Sequence, residues 1–454
     1  MNIIIPLGLK NLAQQFAAAG SKLYIVGGYV RNAVMGDYRT DIDITANVPP
    51  EGLKTVLRGV KVALVNRALG TCIITAGNQK YDYTPYRSEV YAEGGAHRPL
   101  SVRFTSSMAE DSRRRDFTCN TLYYDILENK ILDPYGGVAD IKNRVLKAIV
   151  SPEHVFTRDG LRILRMVRQA AEMGFEIEPA TFDCAKQLVS QLADISPERK
   201  TQELEKILIS DQKYGQRDAP YRGLKMLGDL GVWEYLLPEI ADGMGVAQNP
   251  KYHKYDVYEH TLLTVKYAPP GIRLAALVHD IGKAECLKQY GNMYKHSEIG
   301  AAIAKQRLSQ TGLKYPNNVV GRIVKLIRHH NYDLDGTTSL SKLRLFIAKN
   351  HNIMEDLMAL KKADALATGF AEEPVNIRME SVYREMLAEN CPMKVSDLAV
   401  NGSVILAAYP DFPKERLGKM LHALLTETVM NPALNNEDWL LKRVKAFISP
   451  DEKA

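Results

Sequence analysis

The spacing of apolar residues changes character near residue 150. Before that point, short runs rich in β-branched and aromatic residues alternate with glycines and polar turns, as strands and their connections do. We place strands at residues 23–27, 42–45, 71–76, 80–83 and 121–125. After that point, apolar residues recur with a helical period as far as residue 448. The pattern predicts one α/β domain followed by helical domains.

Two breaks divide the helical part of the chain. Residues 238–250 are rich in glycine and uncharged residues, which favours a connector, and a second break falls near Glu372–Pro374. The predicted fold class is therefore α+β and multidomain. The predicted domains are an α/β head at 1–148, a helical neck at 149–237, a third helical domain at 246–371 and a helical tail at 372–454.

Composition fits a multidomain enzyme and argues against a membrane protein. Of 454 residues, 46% are hydrophobic and 25% charged, which provides ample material for buried cores. The net charge of +6 permits a polyanionic partner without requiring one. No apolar run reaches membrane-spanning length, and the start of the chain lacks the features of a signal peptide. The five scattered cysteines favour a reducing compartment, so the prediction is a cytoplasmic protein.

A glycine turn followed by paired carboxylates carries the first candidate chemistry. Gly27 and Gly28 precede a predicted helix, and glycine lets the backbone approach a triphosphate closely. Asp41 and Asp43 lie two residues apart on the next strand, so both can face one cation while Ile42 faces the core. Carboxylates together with substrate phosphates suit Mg²⁺. Such a pair is often only a solvated edge, but the glycine turn before it indicates nucleotidyl transfer.

Further polar residues of the head fit the same chemistry. On the predicted strand, Asp82 should face opposite to its neighbours Tyr81 and Tyr83. It could accept the proton of an attacking hydroxyl, or it could form a structural pair with Arg87. The run 113–115 supplies three adjacent guanidiniums, which suit phosphate oxygens. Charge runs are usually solvated faces, but Phe117 anchors this one to the core. Asn120 could hydrogen-bond a ribose or a phosphate.

The neck contains arginines at helical spacing. Arg158, Arg162, Arg165 and Arg168 recur every three or four residues and should line one helical face. Asp159 lies three residues before Arg162 and can pair with it. This pair could be an ordinary surface ion pair. Alternatively, a guanidinium and a carboxylate held side by side could pair with the Watson–Crick edge of a base and select a nucleotide without a template.

The third domain contains most of the histidines. A lone histidine is usually a packing residue, but several at helix ends beside two aspartates favour a metal site. Imidazole and carboxylate ligands together suit a divalent transition metal with open positions for water. The candidate ligands are His260, His279, Asp280, His296, His329, His330 and Asp364.

The head and neck resemble the bacterial class II tRNA nucleotidyltransferase/poly(A) polymerase family, which has a polymerase-β-like head. The resemblance covers about 200 residues, with the motifs in the family's order. The stretches that carry it are Gly27–Arg31, Asp41 with Asp43, Thr84–Arg87, Arg114–Asn120, Asp133–Asp140, Asp159–Arg165 and Ser196–Arg199. Asn32, Asp82 and Arg158 depart from the residues that the family usually has at these positions.

The resemblance implies a role for each matching residue. Asp41 and Asp43 would bind the catalytic Mg²⁺, and Asp159 and Arg162 would select CTP and ATP by pairing with the base. Arg114, Arg115, Asp116 and Asn120 would contact the sugar and phosphates. To the catalytic set we add Asp82, and to the nucleotide-binding set Gly27, Gly28, Arg31, Arg165 and Arg168.

The resemblance also implies the substrates. CTP, ATP and the acceptor arm of tRNA would be the partners, with no obligatory protein partner. The segment 88–107 resembles the flexible loop of enzymes that complete the terminal A, and the chain has no long basic C-terminal extension. We therefore expect CCA addition, with addition of A alone or of poly(A) as the alternatives.

The third domain resembles the HD phosphohydrolase family. The resemblance implies His260, His279, Asp280 and Asp364 as core ligands of Mn²⁺, Ni²⁺, Co²⁺ or Fe²⁺. His296, and His329 or His330, match positions that bind a second metal or the phosphate. The implied activity is hydrolysis of 2′,3′-cyclic or 3′-terminal phosphates.

Overall fold

The computed structural model describes residues 3–91, 99–370 and 377–448. The chain divides into two compact units, Met1–Pro238 and Glu239–Ala454. Within the described ranges, no helix is both long enough and apolar enough to cross a membrane. All five cysteines are buried and carry free thiols. The cytoplasmic location inferred from the sequence stays a prediction.

The first unit contains a mixed β-sheet and further short strands outside that sheet. Its strands are β1 (Tyr24–Val26), β2 (Asp43–Thr45), β3 (Lys61–Asn66), β4 (Thr71–Ala76), β5 (Gln79–Tyr83), β6 (Arg87–Val90), β7 (Ser101–Phe104), β8 (Tyr123–Asp125), β9 (Lys130–Leu132), β10 (Val145–Leu146) and β11 (Glu176–Ile177). Seven of them form one sheet in the order β3-β4-β5-β2-β1-β8-β9. Only β2 and β5 pair in parallel within that sheet, which places Asp43 opposite Asp82.

The helices of the first unit cover the sheet and form the neck. They are α1 (Leu7–Ala18), α2 (Gly28–Val34), α3 (Leu53–Val56), α4 (Met108–Arg113), α5 (Gly137–Asn143), α6 (Pro152–Phe156), α7 (Leu161–Met173), α8 (Pro179–Gln187), α9 (Pro197–Leu208), α10 (Asp211–Tyr214), α11 (Ala219–Asp229) and α12 (Trp233–Leu236). Helix α1 buries Leu9, Leu12 and Phe16, and the Phe16 ring lies 6.0 Å from that of Tyr83 in β5. In the neck, α7, α9 and α11 pack against one another.

The second unit is helical over its described residues. Its helices are α13 (Pro238–Ala241), which spans the division, and α14 (Val257–Tyr267), α15 (Arg273–Val278), α16 (Lys283–Tyr290), α17 (His296–Leu308), α18 (Asn317–His329), α19 (Leu340–Lys349), α20 (Met354–Ala367), α21 (Arg378–Ala388), α22 (Gly402–Ala408), α23 (Leu417–Met430) and α24 (Glu437–Ile448). Helix α19 contacts both α21 and α23, and Arg344 donates a hydrogen bond to the carbonyl of Val429. The predicted third domain and tail thus share packing contacts.

The predicted fold class is confirmed. An α/β head is followed by helices, and β11 adds a two-residue strand to the neck by pairing with β10. Each predicted strand has a counterpart within a few residues of its expected position. The break expected near Glu372–Pro374 lies outside the described residues. The four domain boundaries stay predictions.

Candidate functional site

The glycine turn lies where the sequence places it, between β1 and α2. Gly27 has a φ of +74°, a backbone conformation that is strained for residues with a side chain, and its N–H donates to the carbonyl of Leu122. One turn into α2, Arg31 donates to the side-chain oxygen of Asn120 at 2.6 Å. Its other nitrogens donate to Asn32 and to the hydroxyl of Tyr214. The turn therefore leads into a guanidinium that is fixed on three sides.

Three carboxylates meet beside the turn. Asp43 begins β2, opposite Asp82 of β5, and Tyr81 and Tyr83 are buried on the other face, as predicted from the alternation. The Asp43 carboxylate is accessible to solvent within a concave site. Burial, together with the charges of Asp82 and Asp41, raises its pKa to about 6, against the opposing effect of Arg115. This excess of negative charge and its oxygen donors fit a hard divalent cation.

Arg87, the alternative ion-pair partner predicted for Asp82, has other partners in the structure. Arg87 donates to Glu89 at 2.7 Å and to the carbonyl of Leu69 at 3.1 Å. Arg87 begins β6, beyond the end of β5, and the β6–β7 hairpin holds its guanidinium beside Glu89. The proposed pair of Asp82 with Arg87 is therefore wrong.

The arginine run is anchored by a buried carboxylate. Arg114 and Arg115 contact the two oxygens of Asp111 at 2.8 and 3.0 Å, and the Tyr123 hydroxyl donates to the same carboxylate at 2.8 Å. Burial raises the pKa of Asp111, but the charges of Arg115 and Arg114 outweigh burial and lower this pKa to about 2. Phe117 is fully buried, as expected. The guanidiniums are thus held in place before any ligand binds.

Asp111→Asn should destabilise the protein. Removing the charge leaves two guanidiniums near the core without their counterion, which typically costs about 3–5 kcal/mol. Because the pKa of Asp111 is lowered, its contribution is complete above its ordinary pKa of 3.8 and is lost as the pH falls toward 2. Chemical denaturation at pH 7 and pH 3 should therefore show a smaller difference between variant and wild type at pH 3.

The matched control for this change lies on the same helix. Glu110 is exposed on α4, so Glu110→Gln should change the free energy of unfolding by less than about 0.5 kcal/mol. An Asp111→Asn variant as stable as this control at pH 7 would show that the buried network does not stabilise the head.

Asp116 and Asn120 form a second network. Asp116 accepts hydrogen bonds from Arg165 at 2.5 and 3.1 Å. Burial raises the pKa of Asp116, but the Arg165 guanidinium outweighs this effect and holds the pKa well below its usual range. The Asn120 amide donates to Asp116 at 2.9 Å and to Gln169 at 2.8 Å. Since its oxygen accepts from Arg31, Asn120 joins the glycine turn to the neck.

The predicted pair of Asp159 and Arg162 is wrong. Asp159 precedes α7 and accepts from the N–H of Leu161, so it does not lie one helical turn from Arg162 on the same face. Its partner is Arg199 of α9, at 2.8 Å. The guanidinium of Arg162 is buried and donates to three carbonyls, those of Arg114, Arg115 and Val155.

The arginine face of the neck is shorter than predicted. Arg162, Arg165 and Arg168 share one face of α7, but Arg158 precedes the helix, where its guanidinium lies 5.9 Å from the ring centre of Tyr91. Helical spacing holds only inside a helix, and α7 begins at Leu161. Arg168 is held by Glu203 at 2.6 Å and by Glu172.

These side chains surround one cavity of about 950 Å³. A volume of this order suits a nucleotide-sized ligand. Among the predicted residues, the cavity lining contains Gly27, Gly28, Arg31, Asp43, Arg114, Arg115, Asp116, Asn120, Asp159, Arg162, Arg165 and Arg168. It also contains Glu89, Gln169, Glu172, Arg199 and Lys213, which were not predicted as site residues. Gln169 could have been found one helical turn after Arg165, whereas Lys213 has no local signal.

A second cluster occupies the second unit. The Nε2 atom of His260 lies 3.0 Å from Asp364, and that of His279 lies 3.7 Å from the same oxygen. On the other side, His296 and His330 lie 3.4 and 3.6 Å from one oxygen of Asp280. These residues come from five helices or helix ends and form two adjoining groups, His260–His279–Asp364 and Asp280–His296–His330.

The donor atoms of this cluster fit metal ions. The Nδ1 atoms of His279, His296 and His330 each contact a backbone carbonyl at 2.6–2.7 Å, which directs the Nε2 lone pairs into the cluster. The buried Nε2 atoms of His260 and His279 lie 3.0 Å from Asp364 and 3.1 Å from Asp280, so imidazole and carboxylate donor atoms converge within the cluster. Burial lowers the pKa of His296 to about 4, which keeps its imidazole neutral.

Of the two alternatives at 329 and 330, the structure selects His330. The ring of His329 packs edge-on against Phe346, 5.1 Å between ring centres, outside the two groups. Successive residues of a helix are rotated by about 100°, so two adjacent histidines cannot face the same point. Two residues that the sequence did not single out lie next to the cluster. The Lys283 amine is 2.5 Å from Asp280, and the ring of His253 is 4.8 Å from that of His260.

Comparison with protein families matches three parts of the chain. Residues 23–147 match the "Poly A polymerase head domain". The head therefore resembles that family over most of its length. Residues 174–244 match the "Probable RNA and SrmB- binding site of polymerase A", and residues 257–369 match the "HD domain". The family resemblance of the head and neck, with a fused HD domain, is confirmed.

The curated relatives that this chain matches include CCA-adding enzymes. That of Streptococcus suis is 38% identical over 202 residues, 44% of this chain and 49% of the relative. That of Levilactobacillus brevis is 35% identical over 234 residues, 51% of this chain and 56% of the relative. The chain thus spans about half the length of the curated relatives it matches.

Solved structures show the same fold over nearly the whole chain. The Bacillus stearothermophilus CCA-adding enzyme in complex with CTP has a TM-score of 0.68 at 23% identity, covering 98% of this chain and 100% of that chain. The Thermotoga maritima CCA-adding enzyme complexed with tRNA_CCA has a TM-score of 0.57 at 18% identity, covering 98% and 97%. At these identities the comparison establishes the fold.

Proposed function

We propose that the head adds CCA to the 3′ end of tRNA from CTP and ATP without a nucleic-acid template. The observation that carries the proposal is a cavity that joins Asp43, with Asp41 and Asp82 beside it, to the guanidiniums of Arg114, Arg115 and Arg165. A cation-binding edge beside a positively charged wall is what transfer of a nucleotide from a triphosphate requires. The names of the curated relatives support this choice.

The residues divide the work of the reaction. Mg²⁺ held by Asp41 and Asp43 would neutralise the triphosphate and lower the pKa of the attacking hydroxyl. Asp82 faces Asp43 and is placed to take the proton of that hydroxyl. Arg114 and Arg115, fixed by Asp111, orient the phosphates for in-line attack, in which the oxygen–phosphorus bond forms as pyrophosphate leaves.

Base selection is assigned to Asp159 and the arginines around it. Asp159 lines the cavity and is held by Arg199, while Arg162 is fixed by three carbonyls, so acceptor and donor groups are presented in constant positions. Fixed donors and acceptors discriminate between base edges because a wrong base leaves a buried polar group unpaired.

Asp159→Ala should blur the choice between CTP and ATP. Loss of one charged hydrogen-bonding group is worth about 1.5–3 kcal/mol, or roughly 10- to 100-fold in discrimination, because the incorrect base no longer leaves that group unpaired. The measurement is kcat/KM for the correct and the incorrect nucleotide on tRNA ending in C and in CC.

Glu176→Ala is the matched control for base selection. It removes a carboxylate from another neck ion pair, with Arg222 at 3.1 Å, on an exposed strand. It should leave discrimination unchanged. Equal discrimination by the wild type and the Asp159→Ala variant would exclude Asp159 from base selection.

One extension assay separates the possible products. A labelled tRNA that lacks its 3′ end is incubated with CTP, with ATP and with both. Termination at CC with CTP and at CCA with both supports the proposal. A single A added only to tRNA that already ends in CC would identify A addition, and a long ladder would identify polyadenylation. The loop segment expected to favour CCA includes residues 92–98, which lie outside the described residues.

We further propose that the HD domain hydrolyses 2′,3′-cyclic or 3′-terminal phosphates. The two adjoining groups of buried ligands carry this second proposal. Mn²⁺, Ni²⁺, Co²⁺ or Fe²⁺ held there would supply a water activated for attack on phosphorus. The oxygen of that water forms a new bond to phosphorus as the bond between phosphorus and the ribose 3′ oxygen breaks. The 3′ oxygen takes a proton, which leaves a free 3′-hydroxyl; at a 3′-terminal phosphate the same attack releases inorganic phosphate. Such a reaction would restore an RNA end that the head can extend.

For RNA binding, the proposal places the acceptor arm of tRNA on the neck and tail. The match of residues 174–244 to an RNA-binding region supports the part played by the neck. Duplex RNA is recognised mainly through shape and phosphate contacts, and each of the two regions would contribute contacts of this kind.

A further inference from the structure

A patch of exposed aromatic and basic side chains lies next to the histidine cluster. It consists of Lys251, Tyr252, Lys254, Tyr255 and Phe370, and we call it the aromatic rim. The exposed fractions of its rings are 56% for Tyr252, 39% for Tyr255 and 52% for Phe370. Large apolar side chains at this exposure, grouped within one small area, mark a binding surface more often than isolated ones do.

Lysines accompany the aromatic rings. The amine of Lys254 lies 4.8 Å from the ring centre of Phe370, and that of Lys251 lies 5.2 Å from the ring centre of Tyr252. The nearby Asp256 is occupied with backbone N–H groups at the start of α14, those of Gly245 and Glu259. The surface therefore combines positive charge with faces on which flat rings can stack.

The rim is joined to the proposed metal ligands. His253, between Tyr252 and Lys254, turns inward so that its ring meets that of His260 at 4.8 Å. From the other side, Lys283 contacts Asp280 and donates to Gln248 at 2.6 Å, and Gln248 donates to the carbonyl of Tyr255 at 3.2 Å. The rim is thus held at a fixed place beside the cluster.

The end of α20 completes the surface. The N–H of Lys254 donates to the carbonyl of Thr368 at 2.9 Å, which joins the two parts of the rim. Gly369 has a φ of +79°, and a Cβ there would lie 2.8 Å from the Tyr255 ring and 2.9 Å from the Lys254 side chain. This close approach sets Phe370 beside Lys254 and only six residues beyond Asp364.

We propose that the aromatic rim binds the terminal nucleotides of single-stranded RNA and presents their 3′ phosphate to the HD centre. Stacking on aromatic faces and backbone contacts with lysines are the usual means of holding single strands without sequence preference. The substrate is then a polynucleotide end, and a free mononucleotide would miss most of the binding surface. This inference rests on the proposed hydrolytic function of the HD domain.

The test compares two probes on the full chain loaded with Mn²⁺ or Ni²⁺. One is a trinucleotide that ends in a 2′,3′-cyclic phosphate, and the other is cytidine 2′,3′-cyclic phosphate. The wild type should have a kcat/KM at least about tenfold higher on the trinucleotide, mainly through KM. The double variant Tyr252→Ala, Phe370→Ala should lose that ratio. Tyr267→Ala, which removes an exposed tyrosine at the far end of α14, is the control that should keep it.

A second readout does not depend on hydrolysis. A single-stranded oligonucleotide with 4-thiouridine at its 3′ terminus is photo-crosslinked to the metal-loaded protein, and the modified peptides are identified by mass spectrometry. Crosslinks in peptides that contain Tyr252 or Phe370, absent from the double variant, support the proposal. If such crosslinks form but neither probe is hydrolysed, only the hydrolytic function is rejected. Hydrolysis with equal kcat/KM for both probes and no crosslink at the rim would overturn the proposal and leave the hydrolytic function standing. Neither hydrolysis nor crosslink would reject both.

Discussion

Asp43→Asn should reduce nucleotide addition by about 1000-fold or more, because a metal ligand worth several kcal/mol of transition-state stabilisation is lost. The change preserves the shape of the side chain and removes the negative charge that Asp43 contributes beside Asp82 and Asp41. Steady-state extension of a tRNA lacking its 3′ end, with CTP and Mg²⁺, measures the effect. The loss should fall on kcat more than on KM for tRNA, since the proposed RNA contacts lie on the neck and tail.

Asp37→Asn is the matched control for this prediction. Asp37 lies six residues earlier, outside the cavity lining, and pairs with the exposed Arg39 at 2.9 Å. Its removal should alter activity by less than about twofold, because exposed ion pairs contribute little. Thermal unfolding of Asp37→Asn should match the wild type, and Asp43→Asn should be at least as stable, because the charge it removes has a raised pKa in the folded protein. An Asp43→Asn enzyme within tenfold of wild-type activity would show that the metal lies elsewhere.

His279→Ala should abolish phosphate hydrolysis and leave nucleotide addition intact. Loss of even an outer-shell partner of a metal costs about 10- to 100-fold, and loss of a ligand should exceed that. His279 belongs to the second compact unit, whereas the cavity of the head belongs to the first. Two measurements check the prediction, the conversion of a 2′,3′-cyclic phosphate to a phosphomonoester and the content of bound transition metal by elemental analysis.

His351→Ala provides the comparison for the histidine cluster. Like His279, His351 contacts the carbonyl three residues before it through Nδ1, at 2.9 Å, but it lies outside the two ligand groups. It should keep both metal content and hydrolysis. If His279→Ala retained the bound metal and its hydrolytic rate, or if the wild type hydrolysed no terminal phosphate with any of the four metals, the proposed activity of this domain would be rejected.

Sequence reasoning was most successful where a local pattern defines the geometry. The alternation around Asp82 correctly placed its neighbours on the buried face, and the glycines at 27 and 28 correctly marked a turn into a helix. Helical spacing also placed Arg162, Arg165 and Arg168 on one face of α7. These features depend on repeats of 2 or 3.6 residues, which the backbone imposes on any sequence.

Where it failed, the partner came from a distant part of the chain. Asp159 was expected to pair with Arg162, three residues away, but α7 begins only at Leu161 and the true partner is Arg199. Asp111 is a mixed case, because Arg114 and Arg115 lie three and four residues after it, at helical spacing, whereas the Tyr123 hydroxyl comes from a later strand. Because α7 begins at Leu161 and does not include Arg158 or Asp159, the side chains of these two residues take other directions.

By itself, the sequence determined the fold class, the order of the motifs and the residue types that could hold Mg²⁺, a nucleotide or a transition metal. The chemistry of these side chains depends on residue type, which the sequence gives directly. Only the tertiary structure decided that His330 and not His329 joins the cluster, that Arg199 holds Asp159 and that the aromatic rim lies beside His260. These outcomes depend on which helix faces meet, because packing fixes the direction of each side chain and the sequence records only its position along the chain.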